Sequence, residues 1–215
     1  GKDFQRNGVS IDDQGYESFL LADEVSRYIE ERDKTRPFFI YMPFIAPHTP
    51  LDAPDYLQAK YADMPDERGK SRSKMADNTR FMAKMTGRDS ARPMYAAVVD
   101  GMDQSIGKVL DTLDTEGLAD TTIVLFFSDN GGAVYAIGGA DNAPLRGGKG
   151  DTFEGGIRVV ATVRWPEQIP AGSRVDSIMS VMDVLPTLAA AAGIEPSTHN
   201  RLDGRNMVAA LTKAE

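Results

Sequence analysis

Cysteine is absent from this 215-residue chain. That excludes disulfides, zinc–thiolate sites and a cysteine nucleophile, and it leaves the redox compartment open. Long apolar runs are missing too: no stretch approaches the ~20 apolar residues that span a bilayer, so no membrane partner is expected. Positive charge is in deficit, with 24 Lys and Arg against 32 Asp and Glu, a net charge of -8 and a pI near 4.9. A general nucleic-acid binder needs a basic face, so no nucleic-acid partner is expected either. Gly1 stands where an initiator methionine would, and no basic and apolar leader follows it; the chain reads as part of a longer protein.

What is present is enough for a core. Hydrophobic residues make up 41% of the chain, and 20 glycines and 12 prolines are too few for a collagen-like or disordered class. Between Asp13 and Asp33, residues Tyr16, Phe19, Leu20, Val25, Tyr28 and Ile29 recur at helical spacing. Arg36-Pro37 ends that helix, and Phe38–Ile45 is an apolar run of strand length, weakened by Pro43. Residues 50–93 are polar, with Lys and Arg concentrated between Arg68 and Arg92, and read as a long surface excursion with a short helix. A second helix is predicted from Tyr95 to Leu113, with Gly117 as its C-terminal cap.

Thr122–Phe127 is apolar on both faces, as a central strand covered by helices would be, and Ile157–Val163 reads as a strand nearer an edge. Asp183-Val184-Leu185-Pro186 opens a last helix, with Asp183 as cap, and Gly193 closes it. The alternation predicts one α/β domain over 1–215 with a mostly parallel sheet flanked by helices.

In open α/β sheets, ligands sit beyond the carboxyl ends of the strands, and three polar loops fall there or close by. Asp129-Asn130-Gly131-Gly132 offers two hard oxygen donors suited to calcium or magnesium. Asn-Gly is equally a hairpin signal, but the residues after Gly132 do not alternate as a returning strand would. His48 lies between Pro47 and Pro50, a rigid setting for a group that must point at a substrate oxygen, or simply an exposed histidine in a turn. Leu145-Arg146-Gly147-Gly148-Lys149-Gly150 combines glycine backbone with cations, as an oxyanion requires, or is a flexible surface loop. It is not a P-loop, because Gly150 stands where Ser or Thr is needed. Asp100 and Asp103 read as the solvated side of their helix, and His199 is assigned no role.

In order along the chain, these loops resemble the type I sulfatases of the alkaline phosphatase superfamily. The resemblance rests on Ala46-Pro47-His48-Thr49-Pro50-Leu51, Ser128-Asp129-Asn130-Gly131-Gly132, Pro144-Leu145-Arg146-Gly147-Gly148-Lys149-Gly150, Glu154-Gly155-Gly156, Trp165-Pro166 and Met182-Asp183-Val184-Leu185-Pro186-Thr187. It implies that Asp129 and Asn130 bind an active-site Ca2+ in preference to Mg2+. It implies that His48 and Lys149 contact the sulfate ester, on an aryl sulfate or a sulfated glycan. The formylglycine nucleophile of such enzymes comes from a C/S-x-P/A-x-R motif that has no counterpart here; it and the remaining metal ligands are expected upstream, so the chain alone is expected to be inactive. Phosphatases and phosphodiesterases of the superfamily place His where Asn130 stands, which ranks phosphoryl transfer second. A fragment that only binds an ion or a partner is the third reading. The resemblance also implies export to a bacterial periplasm or beyond. A surface left by an upstream half would favour oligomers.

Overall fold

The computed structural model describes residues 4–65, 92–134, 139–195 and 201–213. The chain divides into two compact units, Gly1–Leu118 with Asn130–Val159, and Ala119–Asp129 with Val160–Glu215. The basic stretch at 68–91 and His199 lie outside the described residues. No helix among the described residues is long and apolar enough to cross a membrane.

The first unit opens with a two-residue hairpin, β1 (Gln5–Arg6) and β2 (Val9–Ser10). Asn7 and Gly8 turn it with φ of 52° and 80°, the left-handed pair that a type I′ turn requires. Helix α1 (Glu17–Glu31) packs on α3 (Arg92–Thr115), with the short α2 (Asp55–Lys60) against the N-terminal part of α3. The buried face of α1 is Ser18, Ala22, Ser26 and Ile29, so of the large apolar set of the periodicity only Ile29 is fully buried and small residues make the rest of that face. Tyr28, part of that set, is exposed. Small residues let the two backbones close in, and two of the hydroxyls there are paired: Thr112 donates to Ser26 at 2.9 Å, and Ser105 to the Gly101 carbonyl at 2.8 Å. A Cβ on Gly101 would sit 2.8 Å from the Tyr16 ring.

Residues 50–65 carry the short helix expected of the excursion, α2, but they are not wholly a polar surface element. Leu57 is fully buried and joins Ala53, Ala97 and Val98 in one core, with Ala46 and Leu51 packed on it. Nor is Asp100 on a solvated side. Its side chain is 10% exposed, and it accepts from Lys60, from the Tyr61 hydroxyl at 3.0 Å and from Gln104 at 2.8 Å. The Lys60 hydrogen bond is the main cause that holds this carboxyl below its ordinary pKa. Asp103 is exposed as expected.

Helix α3 ends as Gly117 predicts: its φ is 68°, Gly117 N–H donates to Asp114 O, and Leu118 N–H returns to Leu113 O at 2.8 Å. By contrast, residues 37–45 form no strand. They run extended with strict alternation, Phe38, Ile40, Met42 and Phe44 half-buried and Phe39, Tyr41, Pro43 and Ile45 exposed. A ladder needs a partner, and no described residue bonds the backbone of Phe38–Phe44.

In the second unit, β3 (Val124–Phe127) pairs with β4 (Ala161–Arg164) antiparallel, Val124 opposite Arg164 and Phe127 opposite Ala161. The parallel sheet of the sequence reading is therefore not what joins these two strands. An apolar run on both faces reports burial of both faces and says nothing about direction. The predicted strand also starts too early, because Ile157 closes a one-turn helix, α4 (Glu154–Ile157). Ile123, Leu125, Val163 and Trp165 face helix α5 (Val184–Ala191) across a small apolar pocket that Leu211 of α6 (Val208–Leu211) also lines. Arg164, on the alternate face, keeps Nε and Nη2 buried with no acceptor among the described residues.

Asp183 stands before α5 as expected, yet its carboxylate does not cap that helix. It accepts from Ser180 N–H at 2.8 Å, completing a capping box around the 3₁₀ turn Val181–Asp183, and from Arg205 N–H at 2.7 Å. The Ser180 and then the Arg205 amide hold its carboxyl below the usual Asp range. A carboxyl with a lowered folded pKa contributes stability above its unfolded value, and that contribution is lost as pH falls through the folded one. Asp183→Asn keeps one acceptor and turns an NH2 toward the other amide. Thermal melts should show the variant less stable at pH 7, with the gap closing below about pH 4. A gap independent of pH would contradict this assignment.

Phe39 and Tyr41 are 76% and 75% exposed, an apolar face of the kind that recruits other surfaces. The folded chain should enhance the fluorescence of an apolar dye, and Phe39→Ser with Tyr41→Ser should cut that signal without lowering the melting temperature.

Candidate active site

The first candidate loop is carried by the α2–α3 core. Ala46 packs on that core, and His48 N–H donates to Ile45 O at 2.8 Å, closing a tight turn at the end of the extended run. The His48 ring is exposed, with Nδ1 2.7 Å from the Thr49 carbonyl oxygen. A carbonyl only accepts, so Nδ1 carries the proton. Nε2 is left as the working nitrogen, an acceptor when the ring is neutral and a donor when it is charged.

Asp129 is exposed and ends the first segment of the second unit; Asn130 is half-buried and begins the returning segment of the first. Asn130-Gly131 is not a hairpin turn. Unlike Asn7-Gly8, neither residue takes a positive φ. Glycine is required here for closeness: a Cβ on Gly131 would lie 1.8 Å from the Gly155 carbonyl oxygen. Gly131 N–H donates to Gly156 O at 2.9 Å instead.

The third loop meets the same segment. Lys149 N–H donates to Gly132 O at 3.1 Å, and Gly155 N–H to Arg146 O at 2.8 Å. Gly148 N–H bonds the Asp151 carboxylate at 3.0 Å. Gly147, Gly148, Gly155 and Gly156 are all buried, so this is no flexible surface loop. Most of the knot's glycine amides are also not displayed for an anion. Those of Gly131, Gly132, Gly148, Lys149, Gly155 and Gly156 are all spent within the knot. The cations remain: Lys149 is half-buried, and the Arg146 guanidinium stacks 3.7 Å from the centre of the Phe153 ring.

Thus the structure binds the Asn130–Gly132 turn to the Lys149 loop within one unit, and seats His48 on another loop of that unit. Among the described residues no three His, Asp or Glu groups come together as a metal site. Asn142 and Asp151, which tie the knot, carry no sequence signal beyond the polar loop around them.

The family model for sulfatases matches residues 2–194. This chain belongs to the sulfatase family. It is 35% identical over 197 residues to mouse steryl-sulfatase, covering 89% of this chain and 27% of that protein. With human N-acetylgalactosamine-6-sulfatase it shares 33% identity, covering 89% of this chain and 32% of the relative. The sulfatase chain thus spans about a third or less of these two relatives. Among solved structures, Ps i-CgsB superposes with a TM-score of 0.80 at 34% identity, over 96% of this chain and 41% of that one. The phosphonate monoester hydrolase of Agrobacterium radiobacter, at 24% identity and a TM-score of 0.67, shares the fold. The α/β class is thereby established.

The close approach at Gly131 generates a test. Gly131→Ala places a methyl inside a carbonyl oxygen that belongs to backbone, so the knot must open. The variant should lose amide protection across 146–156 before the α1–α3 amides are affected, as read by hydrogen exchange. Wild-type exchange in that segment would refute the packing described.

Proposed function

We propose that this chain contributes part of the active site of a sulfuric ester hydrolase, with Asp129 and Asn130 as ligands to calcium and His48 and Lys149 as contacts to the sulfate ester. The observation that carries the proposal is the knot that fixes Asn130 and Lys149 in one rigid element, in a chain of the sulfatase family. A carboxylate and a carboxamide are hard donors that fit calcium, which takes six to eight oxygens, so the other ligands come from beyond these two residues. When bound, the cation would supply charge stabilisation for a sulfuryl oxygen. Lys149 adds a compact positive charge for the same group. His48, through Nε2, is suited to donate to the leaving oxygen once its ring is protonated.

The substrate class follows the same chemistry. Ps i-CgsB was solved with k-i-k-neocarrahexaose, and the mouse relative is a steryl-sulfatase; a sulfate ester is the element common to our reading, whether on a glycan or an aryl group. Asn130 in place of a histidine favours one hard cation over a two-zinc phosphatase centre. We place the whole enzyme outside the cytoplasm of a bacterium.

No Cys is present and no Ser stands in a C/S-x-P/A-x-R context, so the group that forms the covalent intermediate and divides sulfate transfer into two steps is read as missing from this chain. With 4-nitrophenyl sulfate and calcium it should show no turnover. Calorimetry should give calcium binding weaker than micromolar, abolished by Asp129→Ala, and inorganic sulfate binding weakened several-fold by Lys149→Ala. Sub-micromolar calcium binding to the monomer, or turnover abolished by Lys149→Ala, would overturn the reading of a partial site.

A further inference from the structure

We propose that Asn142 is a positioning residue that fixes the separation between the Asn130 turn and Lys149; in its functional sense this rests on the calcium and sulfate reading above. The carboxamide makes three hydrogen bonds. Oδ1 accepts from Gly132 N–H at 3.0 Å, while Nδ2 donates to Gly132 O at 2.9 Å and to Gly147 O at 3.1 Å. Gly132 sits two residues after the proposed metal ligand Asn130, and Gly147 two residues before Lys149. One side chain therefore grips both loops by their backbones.

The chemistry admits few substitutes. A side chain that accepts from one amide and donates to two carbonyls at the same moment must be a primary amide. Asp has no donor, Ser and Thr are too short to span both loops, and Gln adds a methylene where there is no room. The crowding is explicit: a Cβ on Gly132 would lie 3.0 Å from Oδ1, and one on Gly148 would lie 3.0 Å from Nδ2 and 2.6 Å from Gly132 O. The amide orientation is fixed by its partners, since Gly132 N–H can only donate and the two carbonyls can only accept.

Local turn formation does not explain Asn142. The neighbouring turn is closed without its side chain, by Leu145 N–H to Asn142 O at 2.8 Å and by the Asp141 carboxylate accepting from Ala143 N–H at 3.1 Å. All three side-chain bonds named above reach five or ten residues away. Gly132 O is moreover the shared acceptor of Asn142 Nδ2 and the Lys149 amide. Tension on that oxygen is felt by Lys149 directly, so what either ligand does to its own loop is transmitted to the other through Asn142.

Two measurements on this chain decide the matter. The first is amide exchange by NMR in Asn142→Ala, with the isosteric Asn142→Asp as a second variant should the first fail to fold. Loss of one to three hydrogen bonds of about 1 kcal/mol each predicts roughly 5- to 150-fold faster exchange at Gly132 and Lys149, with α1 and α3 amides unchanged. The second is titration with calcium chloride and with sodium sulfate, separately and together. In the wild type, calcium should tighten sulfate by about fivefold or more, a coupling of ordinary size. In Asn142→Ala the ratio should fall to about one, while calcium alone binds within about twofold of wild type. Wild-type exchange at Lys149 in both variants would overturn the clamp. Uniformly faster exchange throughout the chain, or undiminished coupling in Asn142→Ala, would reduce Asn142 to a structural residue and overturn the positioning role. If neither ion binds the wild-type chain, the ligand reading falls, and exchange at Gly132 and Lys149 still decides the clamp.

Discussion

Backbone touching backbone is the constraint on which the candidate site depends. In the segment Gly131–Gly156, a methyl on Gly131, Gly155 or Gly156 would lie 1.8, 2.3 and 2.0 Å from a carbonyl oxygen of a neighbouring strand of chain. Contacts this close leave no side chain between the turn that bears Asn130 and the loop that bears Lys149. The amides of Gly131, Gly132, Gly148, Lys149, Gly155 and Gly156 find their acceptors inside the knot. Rigidity follows from the count of directional bonds rather than from hydrophobic packing. Such a knot suits a site that must hold charged groups still while charge moves on the substrate.

The sequence makes the long helices legible, because 3.6-residue periodicity and a terminal glycine are local signals. Tyr95–Leu113 lies inside Arg92–Thr115, and the left-handed φ at Gly117 appears just past its end, where expected. The buried face of the first helix was not legible in the same way. Ser18, Ala22 and Ser26 carry little hydrophobicity, and they are buried because they are small enough for close helix contact. Asp100 was misread for a related cause: a helix position is judged polar and solvated unless Lys60 and Tyr61, forty residues away, are known to meet it.

The loops divide along the same line. Residue type told that Asp129, Asn130, His48 and Lys149 stand in polar loops near strand ends. It did not tell why the glycines beside them are glycines. Both Asn-Gly pairs look alike in the sequence, yet Asn7-Gly8 uses the left-handed conformations of a hairpin and Asn130-Gly131 uses the absence of a Cβ. The difference is tertiary, set by Gly155 and Gly156 some twenty-five residues on, so no local rule separates the pair. Strand direction was equally hidden. Val124–Phe127 is apolar on both faces in any sheet that buries both, and its antiparallel register with Ala161–Arg164 comes from the route of the chain between them.

The way the knot consumes its amides also bears on how an anion is held. A glycine-rich loop beside a lysine suggests a nest of N–H groups around the ligand, as in phosphate-binding loops. Here the amides of Gly131, Gly132, Gly148, Lys149, Gly155 and Gly156 already have acceptors. Under the function proposed, a sulfate is then met chiefly by side-chain charges and a bound cation. Point charges and a metal are less directional than a backbone nest, so geometric selectivity has to come from how rigidly they are mounted. Glycine supplies that mounting here by leaving out its side chain, and Asn142 by giving three hydrogen bonds of its carboxamide to two stretches of backbone. Specificity for the organic part of the ester is then free to reside in other loops.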